Sequence, residues 1–376
     1  MKKICYVTTI PGTIEAFFVP QLRYLEKHGF NITVICSDAN TLQHDVGKTI
    51  QCIPCQVPRG IAFFYSLRAI ISLYHIFSRE KFDLVQYSTP NAAFCASIAA
   101  KMANIPVRNY HLMGLRYLGS NGILRYILKR LDCFACSLST HVECVSNSNL
   151  KLAIQEKLFP PCKGTVIGHG STGGIDIVRF DYTKRAAYRR AIREIYGIHE
   201  EDFIFMFVGR ITRDKGINEL LQAFGKVQGA KLMIVGSEEG VDTLDKVLYK
   251  HAKKDNKILF TGPTKNIEQY YCAADILVFP SYREGFGNVI IEAAAMGTPA
   301  ILSAIPGPID ASEKDKTAFW IFPKDVESLH KAMQYCLQHK QQVQQMGKAC
   351  IKFVHRYFSQ DILNELILER KRKLLL

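Results

Sequence analysis

Short apolar runs alternate with stretches of helical period along the whole chain. Residues 4–10 form the first run; a helical pattern over 18–27 follows, Gly29 stops it, and a second run occupies 31–36. Further runs at 84–87, 106–111, 140–145 and 164–167 continue the series, with a helix of small residues over 92–102. A second series opens at Phe203, with strands expected at 203–208, 231–235, 258–260, 276–280 and 299–303. Helices are expected between them at 217–227, 242–252, 267–273 and 288–296. Runs this apolar, lacking strict polar alternation, suit strands buried on both faces of a parallel sheet, and the intervening helices supply the crossovers. The pattern predicts an α/β chain of two Rossmann-like series joined through the glycine-rich stretch 168–174. A last amphipathic helix runs from Gln360 and ends in Arg370-Lys371-Arg372-Lys373, cations that the helix dipole alone would favour.

With 376 residues, 48% of them hydrophobic, the chain is long enough for two cores. Only Met1-Lys2-Lys3 precedes the first apolar run, which is too short for a secretory signal and reads as a buried strand. Twelve scattered cysteines then point to reduced thiols in a cytoplasm. The pairs Cys52/Cys55 and Cys133/Cys136 have the spacing of zinc ligands but lack a glycine-bearing knuckle, so buried thiols are expected instead. Residues 61–77 form the longest apolar run; with Arg68 at its centre it is a poor membrane span, and its aromatic residues suit a core-facing or membrane-surface helix.

The formal net charge of +14 is uneven: residues 1–187 hold 21 Lys and Arg against 11 Asp and Glu. A basic first half fits an anionic membrane face or a phosphorylated acceptor. Nucleic acid is disfavoured, because no helix-turn-helix, zinc-finger or RNP-like pattern occurs.

Two segments carry chemistry. In Pro280-Ser-Tyr-Arg-Glu-Gly-Phe-Gly-Asn-Val-Ile-Ile-Glu292, a strand ends and a turn bracketed by Gly285 and Gly287 opens a helix. Such a junction aims backbone N–H groups at one point, and an anion binds there readily. Glu284 and Glu292 flank it, and carboxylates are good acceptors for vicinal hydroxyls. In Gly209-Arg210-Ile-Thr-Arg-Asp-Lys215-Gly216, a forked guanidinium and a compact ammonium stand on a short loop after a strand, a pairing suited to a diphosphate.

Together these segments resemble the GT-B glycosyltransferases of family 4. Glu284…Glu292 matches that family's E-x7-E motif, and Gly209-Arg210…Lys215-Gly216 matches its G-R-x4-K-G element. Gly170-Ser-Thr-Gly-Gly-Ile-Asp176 resembles its G-S-x-N-G-[IV]-D element, so the likeness spans essentially the whole chain. The resemblance implies two Rossmann-like domains facing a cleft, with boundaries at 1–170 and 171–357 and a helix over 358–376 crossing back to the first domain. It implies a retaining enzyme of the capsule and O-antigen type. Such an enzyme moves a sugar from a nucleotide-diphosphate donor, a UDP-sugar by preference, to a glycan on a lipid diphosphate.

By position, Arg210 and Lys215 would neutralise the departing diphosphate, and Glu284 would bind hydroxyls of the transferred sugar. The backbone at Phe286, Gly287 and Asn288 would touch the same sugar, the N–H groups of Asn288 and Val289 would hold a phosphate, and Glu292 would grip the ribose. Gly209, Ser171 and the single-glycine turn at Gly12 complete the expected binding set. No Asp-x-Asp occurs, so neither a divalent metal nor another cofactor is expected.

Two departures stand out. Where the family carries His-Gly, this chain reads Met113-Gly114; His111, two residues earlier on the same strand face, takes the candidate catalytic role. Gly173 replaces the usual asparagine. A nucleotide-sugar epimerase of the same fold, or a degenerate sugar-nucleotide-binding protein, are the alternatives. The placement expected is cytoplasmic, peripheral on the inner face of the plasma membrane.

Overall fold

A computed structural model describes residues 1–60 and 63–376. The chain divides into two compact units: Met1–Gly173 with Gln360–Leu376, and Gly174–Ser359.

In the first unit, the described residues form seven parallel strands ordered β3-β2-β1-β4-β5-β6-β7. They are β1 (Lys3–Val7), β2 (Asn31–Cys36), β3 (Gln51–Pro54), β4 (Leu84–Ser88), β5 (Val107–Leu112), β6 (His141–Cys144) and β7 (Gly164–Val166). The helices between them are α1 (Pro11–Phe17), α2 (Val19–Lys27), α3 (Gln43–Val46), α4 (Phe63–Glu80), α5 (Pro90–Met102), α6 (Gly122–Leu138) and α7 (Asn147–Gln155). The first expected strand is shorter than the apolar run: β1 ends at Val7, and Ile10 already caps α1, which Pro11 opens. Residues 61 and 62 of the long apolar run lie outside the described residues; from Phe63 the run is helical, as α4.

The second unit carries six parallel strands ordered β10-β9-β8-β11-β12-β13. They are β8 (Phe203–Val208), β9 (Ala230–Val235), β10 (Ile258–Gly262), β11 (Ile276–Phe279), β12 (Ala300–Ser303) and β13 (Ala318–Ile321). Its helices are α8 (Arg185–Ile195), α9 (Ile217–Phe224), α10 (Lys246–Ala252), α11 (Ile267–Ala273), α12 (Asn288–Ala295), α13 (Val326–Gln338) and α14 (Lys340–Tyr357). Every residue of β8 is buried, as a central parallel strand covered on both faces must be.

The last helix, α15 (Gln360–Leu374), belongs to the first unit, where Leu363, Ile367 and Leu368 join the core around Ile4, Tyr6 and Phe18. Of its terminal cations, Lys371 departs from the dipole reading, while Arg372 and Lys373 are exposed in the last turn. Lys371 is 1% exposed and donates to Glu143 Oε1 and Oε2 at 3.2 and 3.1 Å and to Gln86 Oε1 at 2.6 Å, so packing and not the helix end decides its place.

Both sheets reverse direction of growth once, between β1 and β4 and between β8 and β11. At such a switch point the loops leaving the two strands diverge and open a crevice at the strands' C-terminal ends, where ligands of open α/β sheets bind.

One buried acid sets a pH dependence. Asp132 on α6 is 4% exposed and accepts from the Tyr110 hydroxyl at 3.2 Å. Burial raises its carboxyl to about 7, against the lowering effects of Tyr110 and Arg116. With the folded value above the ordinary 3.8, the folded state keeps a proton that the unfolded state loses. Stability therefore falls across this window as pH rises, by roughly 1.4 kcal/mol per pH unit, and levels off above about 7. Between pH 5 and 7 the Tm of Asp132→Asn, measured by calorimetry, is expected to fall less than that of the wild type.

Candidate active site

The loops that leave β8 and β11, neighbours at the switch point of the second sheet, carry the two segments singled out from the sequence. After β8 the chain bonds Gly209 N–H to the Val235 carbonyl at 3.0 Å and Ile211 N–H to the Ser237 carbonyl at 2.9 Å. A single 3₁₀ turn, Arg213–Lys215, then leads through Gly216 into α9. Gly216 has φ of +74°, and a Cβ there would press into the Pro280 carbonyl at the end of β11. Only glycine allows this close approach, which brings the Lys215 turn against the neighbouring strand.

On the other loop, Gly287 has φ of +100° and caps α12; a Cβ there would lie 2.9 Å from Ile290 Cδ1. The chain thus enters α12 through a left-handed residue, with Asn288 and Val289 in the helix's first turn. Phe286 is buried, 5.4 Å from the Phe358 ring, and so anchors the turn between the two glycines.

The structure brings Lys215 and Glu284 together: Lys215 Nζ donates to Glu284 Oε1, and both side chains are mostly buried. The ammonium also sits 5.6 Å from the centroid of the Phe279 ring. Arg210 lies exposed on the same loop. Around the pair stands a set of residues that the sequence reading missed. Asp214 accepts from Thr212 Oγ1 at 2.5 Å and from Arg283 Nη2 at 3.2 Å, and its carbonyl accepts from Tyr282 N–H at 2.9 Å. Burial raises the Asp214 carboxyl, but the Thr212 bond and the charges of Arg283, Lys215 and Arg210 outweigh it and hold the group below its usual range. The Tyr282 hydroxyl donates to Glu219 Oε1 at 2.7 Å. Asp214 thus ties the two loops together, and nothing in the local pattern of the sequence signalled it.

Glu292 lies on α12, where it accepts from the Tyr271 hydroxyl at 2.8 Å. Burial lifts its carboxyl above the ordinary range; Tyr271 and Arg179 oppose that rise and Glu268 adds to it. Arg179 is itself held by Glu268 at 2.9 Å. A carboxyl so placed is a hydrogen-bonding group for hydroxyls and not a cation trap.

The first unit holds the remaining candidates. His111 is on β5, 6% exposed, with Nε2 3.3 Å from Thr172 Oγ1 and Nδ1 3.8 Å from Glu143 Oε2. Its ring stands edge-on to Phe18 at 5.5 Å. Glu143 faces it because β5 and β6 pair these two residues in register. Ser171 is buried with φ of +72°, and its N–H bonds to the Val145 carbonyl at 2.8 Å. Gly12 is in the first turn of α1, with open space where a Cβ would stand. At this sheet's own switch point, Thr9 Oγ1 and Thr89 Oγ1 are 2.7 Å apart.

All four thiols of the zinc-spaced pairs are free. Burial pushes Cys55 up to about 11 and Cys136 higher, and among the described residues no group of three or more His, Cys, Asp and Glu is placed to hold a metal ion.

The chain matches two family models: Glycosyltransferase Family 4 over residues 15–171, and Glycosyl transferases group 1 over 188–353. It is 30% identical to the putative teichuronic acid biosynthesis glycosyltransferase TuaC of Bacillus subtilis, with 88% of each chain covered. Similarity extends to the capsular polysaccharide biosynthesis glycosyltransferase CapM of Staphylococcus aureus, at 27% identity over 97% of this chain and 95% of that one. It extends also to an Escherichia coli enzyme described as UDP-Gal:alpha-D-GlcNAc-diphosphoundecaprenol alpha-1,3-galactosyltransferase, at 24% over 88% and 87%. The crystal structure of Anabaena HepE with UDP-glucose shares the fold, with a TM-score of 0.81 at 18% identity over 99% of this chain and 100% of that one.

The geometry makes Gly216 a sensitive point. Gly216→Ala is expected to cost about 1–3 kcal/mol of stability and to shift Lys215 away from β11. Calorimetry reads the first effect. Isothermal titration with pyrophosphate reads the second, as a loss of binding that Ser→Ala at the nearby Ser237 does not reproduce.

Proposed function

The chain belongs to the family 4 glycosyltransferases, and on that premise we propose that it transfers a sugar, with retention of anomeric configuration, from a UDP-sugar to a glycan carried on a lipid diphosphate. The observation that carries this reading is the Lys215–Glu284 hydrogen bond at the switch point of the second sheet. A cation and a polyol-binding carboxylate in contact fit a ligand in which a diphosphate is joined directly to a sugar. The donor would divide the pair, Lys215 turning to the diphosphate and Glu284 to the sugar hydroxyls. Support for the partners comes from the E. coli relative, whose name specifies a UDP-sugar donor and a diphosphoundecaprenol-linked acceptor. CapM and TuaC place related enzymes in capsule and teichuronic acid synthesis.

In this mechanism Arg210 and Lys215 stabilise negative charge as the nucleoside diphosphate leaves, while the sugar passes through an oxocarbenium-like state. N–H groups at Asn288 and Val289 hold a phosphate where α12 begins, beside the helix dipole. The backbone at Phe286 and Gly287 contacts the sugar, and Glu292, kept as a hydroxyl partner beside Tyr271, takes the ribose. Gly209 leaves the backbone open to the donor. Gly12, Ser171 and His111 belong to the acceptor-binding unit, where His111 contacts the reacting sugars. Two fixed cations take the place of a divalent metal, so EDTA is expected to leave the rate unchanged.

Lys215→Ala and Glu284→Ala are each expected to lower kcat/KM by about 100-fold or more. The product's anomeric proton coupling, read by NMR, should match the donor's configuration. Inversion would overturn the retaining assignment. Epimerisation of the UDP-sugar without any acceptor would replace it with the epimerase reading.

The acceptor's carrier also implies a surface. Among the described residues no helix is long and apolar enough to cross a membrane. However, α4 exposes Phe63, Phe64 and Tyr65, and α6 exposes Ile123 and Tyr126 beside Arg125 and Arg130. Aromatic and cationic side chains in this mixture suit the headgroup region of an anionic bilayer. Co-sedimentation with phosphatidylglycerol vesicles is expected for the wild type. It should be reduced at least fivefold in Phe63→Ser/Phe64→Ser, and binding unchanged by the substitutions would contradict this placement.

A further inference from the structure

Glu143 and Lys371 are each 1% exposed, at the C-terminal end of β6 and near the end of α15. Burying two charges costs several kcal/mol per ion before pairing, and a well-packed apolar pair of the same volume does as well for stability. A buried ion pair therefore calls for a reason beyond holding α15 down, since Leu363, Ile367 and Leu368 already seat that helix in the core.

The reason lies in what surrounds the pair. Lys371 Nζ donates to both oxygens of Glu143 and to Gln86 Oε1, and Asn109 Nδ2 donates to that same Gln86 oxygen at 3.0 Å. Arg370 Nε stands 3.5 Å from Glu143 Oε1. Glu143 Oε2 is 3.8 Å from His111 Nδ1, across the register pair of β5 and β6. The other ring nitrogen, Nε2, faces Thr172 Oγ1 at 3.3 Å, and Gln21 Nε2 holds the Thr172 carbonyl at 3.1 Å. Burial disfavours the Glu143 anion, but Lys371 and then His111 outweigh it, so the carboxylate is held ionised well below its usual range. Nδ1 makes no hydrogen bond at this distance, but an anion fixed 3.8 Å away electrostatically favours the tautomer with its proton on that nitrogen and leaves Nε2 as the acceptor.

We infer that Lys371 and Glu143 are positioning residues for His111: the C-terminal helix brings a cation that fixes the Glu143 carboxylate, and Glu143 sets the tautomer and the aim of the imidazole. This rests on the reading of His111 as a group that contacts the reacting sugars. It gives the last helix a task in the reaction as well as in the core.

The test compares His111→Ala, Glu143→Gln, Lys371→Met and their combinations, with kcat and donor KM measured separately. Because Lys371→Met alone strands a buried carboxylate and risks unfolding, the double variant Glu143→Gln/Lys371→Met, which removes both charges, serves as the folded control, checked by its Tm. In the folded variants kcat is expected to fall at least tenfold with donor KM within twofold of wild type. His111→Ala/Glu143→Gln is expected to be no slower than His111→Ala alone, because the two act through one group. Imidazole nitrogen NMR should show the Nδ1–H tautomer in the wild type and a changed tautomer ratio in Glu143→Gln. A folded double variant as fast as wild type, with His111→Ala slow, overturns the positioning role and leaves the reading of His111 intact. Wild-type speed in His111→Ala instead removes that reading, and the positioning role with it.

Discussion

A lysine and a glutamate on two different loops, hydrogen-bonded to one another where a parallel sheet changes direction, are the contact on which the donor reading depends. It exists because β8 and β11 are neighbours although they are far apart in the chain, and because their loops diverge at the strand ends. Gly216 sets how closely the loops approach, since any side chain there would meet the Pro280 carbonyl. Asp214 then joins them, taking Thr212 from its own loop and Tyr282 and Arg283 from the other. The pair is thus built by topology first and by side-chain chemistry second.

The two sheets treat charge differently at their C-terminal ends. In the second unit the Lys215 and Glu284 side chains, though mostly buried, keep some exposure. In the first unit Glu143, on β6, and Lys371, on α15, are buried almost completely. A group that must exchange partners during a reaction needs access, and one that only orients a neighbour needs rigidity. The first arrangement suits binding and departure of a diphosphate, and the second suits holding an imidazole.

Much of the fold was legible because parallel strands are apolar on both faces: β2 and β8 fall where the pattern put them. Two of the missed elements have plain physical reasons. β3 is a short edge strand with mixed polarity that ends in Pro54, and α8 is so rich in arginine that it reads as a solvated stretch. In the structure its Arg193 is buried, donating to the carbonyls of Ala273, His199, Glu200 and Asp202. Lys371 escaped for the same reason: a cation at a helix end looks solvated until its partner, on a distant strand, is placed beside it. Arg210, Lys215, Glu284 and Glu292 could be singled out as candidates because their spacing is local. Asp214, Tyr271 and Thr172 were not, since their roles arise only from contacts across elements.

The division of labour between Lys215 and Glu284 is tested most directly by binding, with UDP and a UDP-sugar titrated separately into the wild type, Lys215→Ala and Glu284→Ala. Lys215→Ala is expected to weaken both ligands alike. Glu284→Ala should bind UDP as the wild type does and lose only the added affinity for the UDP-sugar. If Glu284→Ala weakens UDP as much as it weakens the UDP-sugar, the carboxylate does not read the sugar, and the central assignment is contradicted.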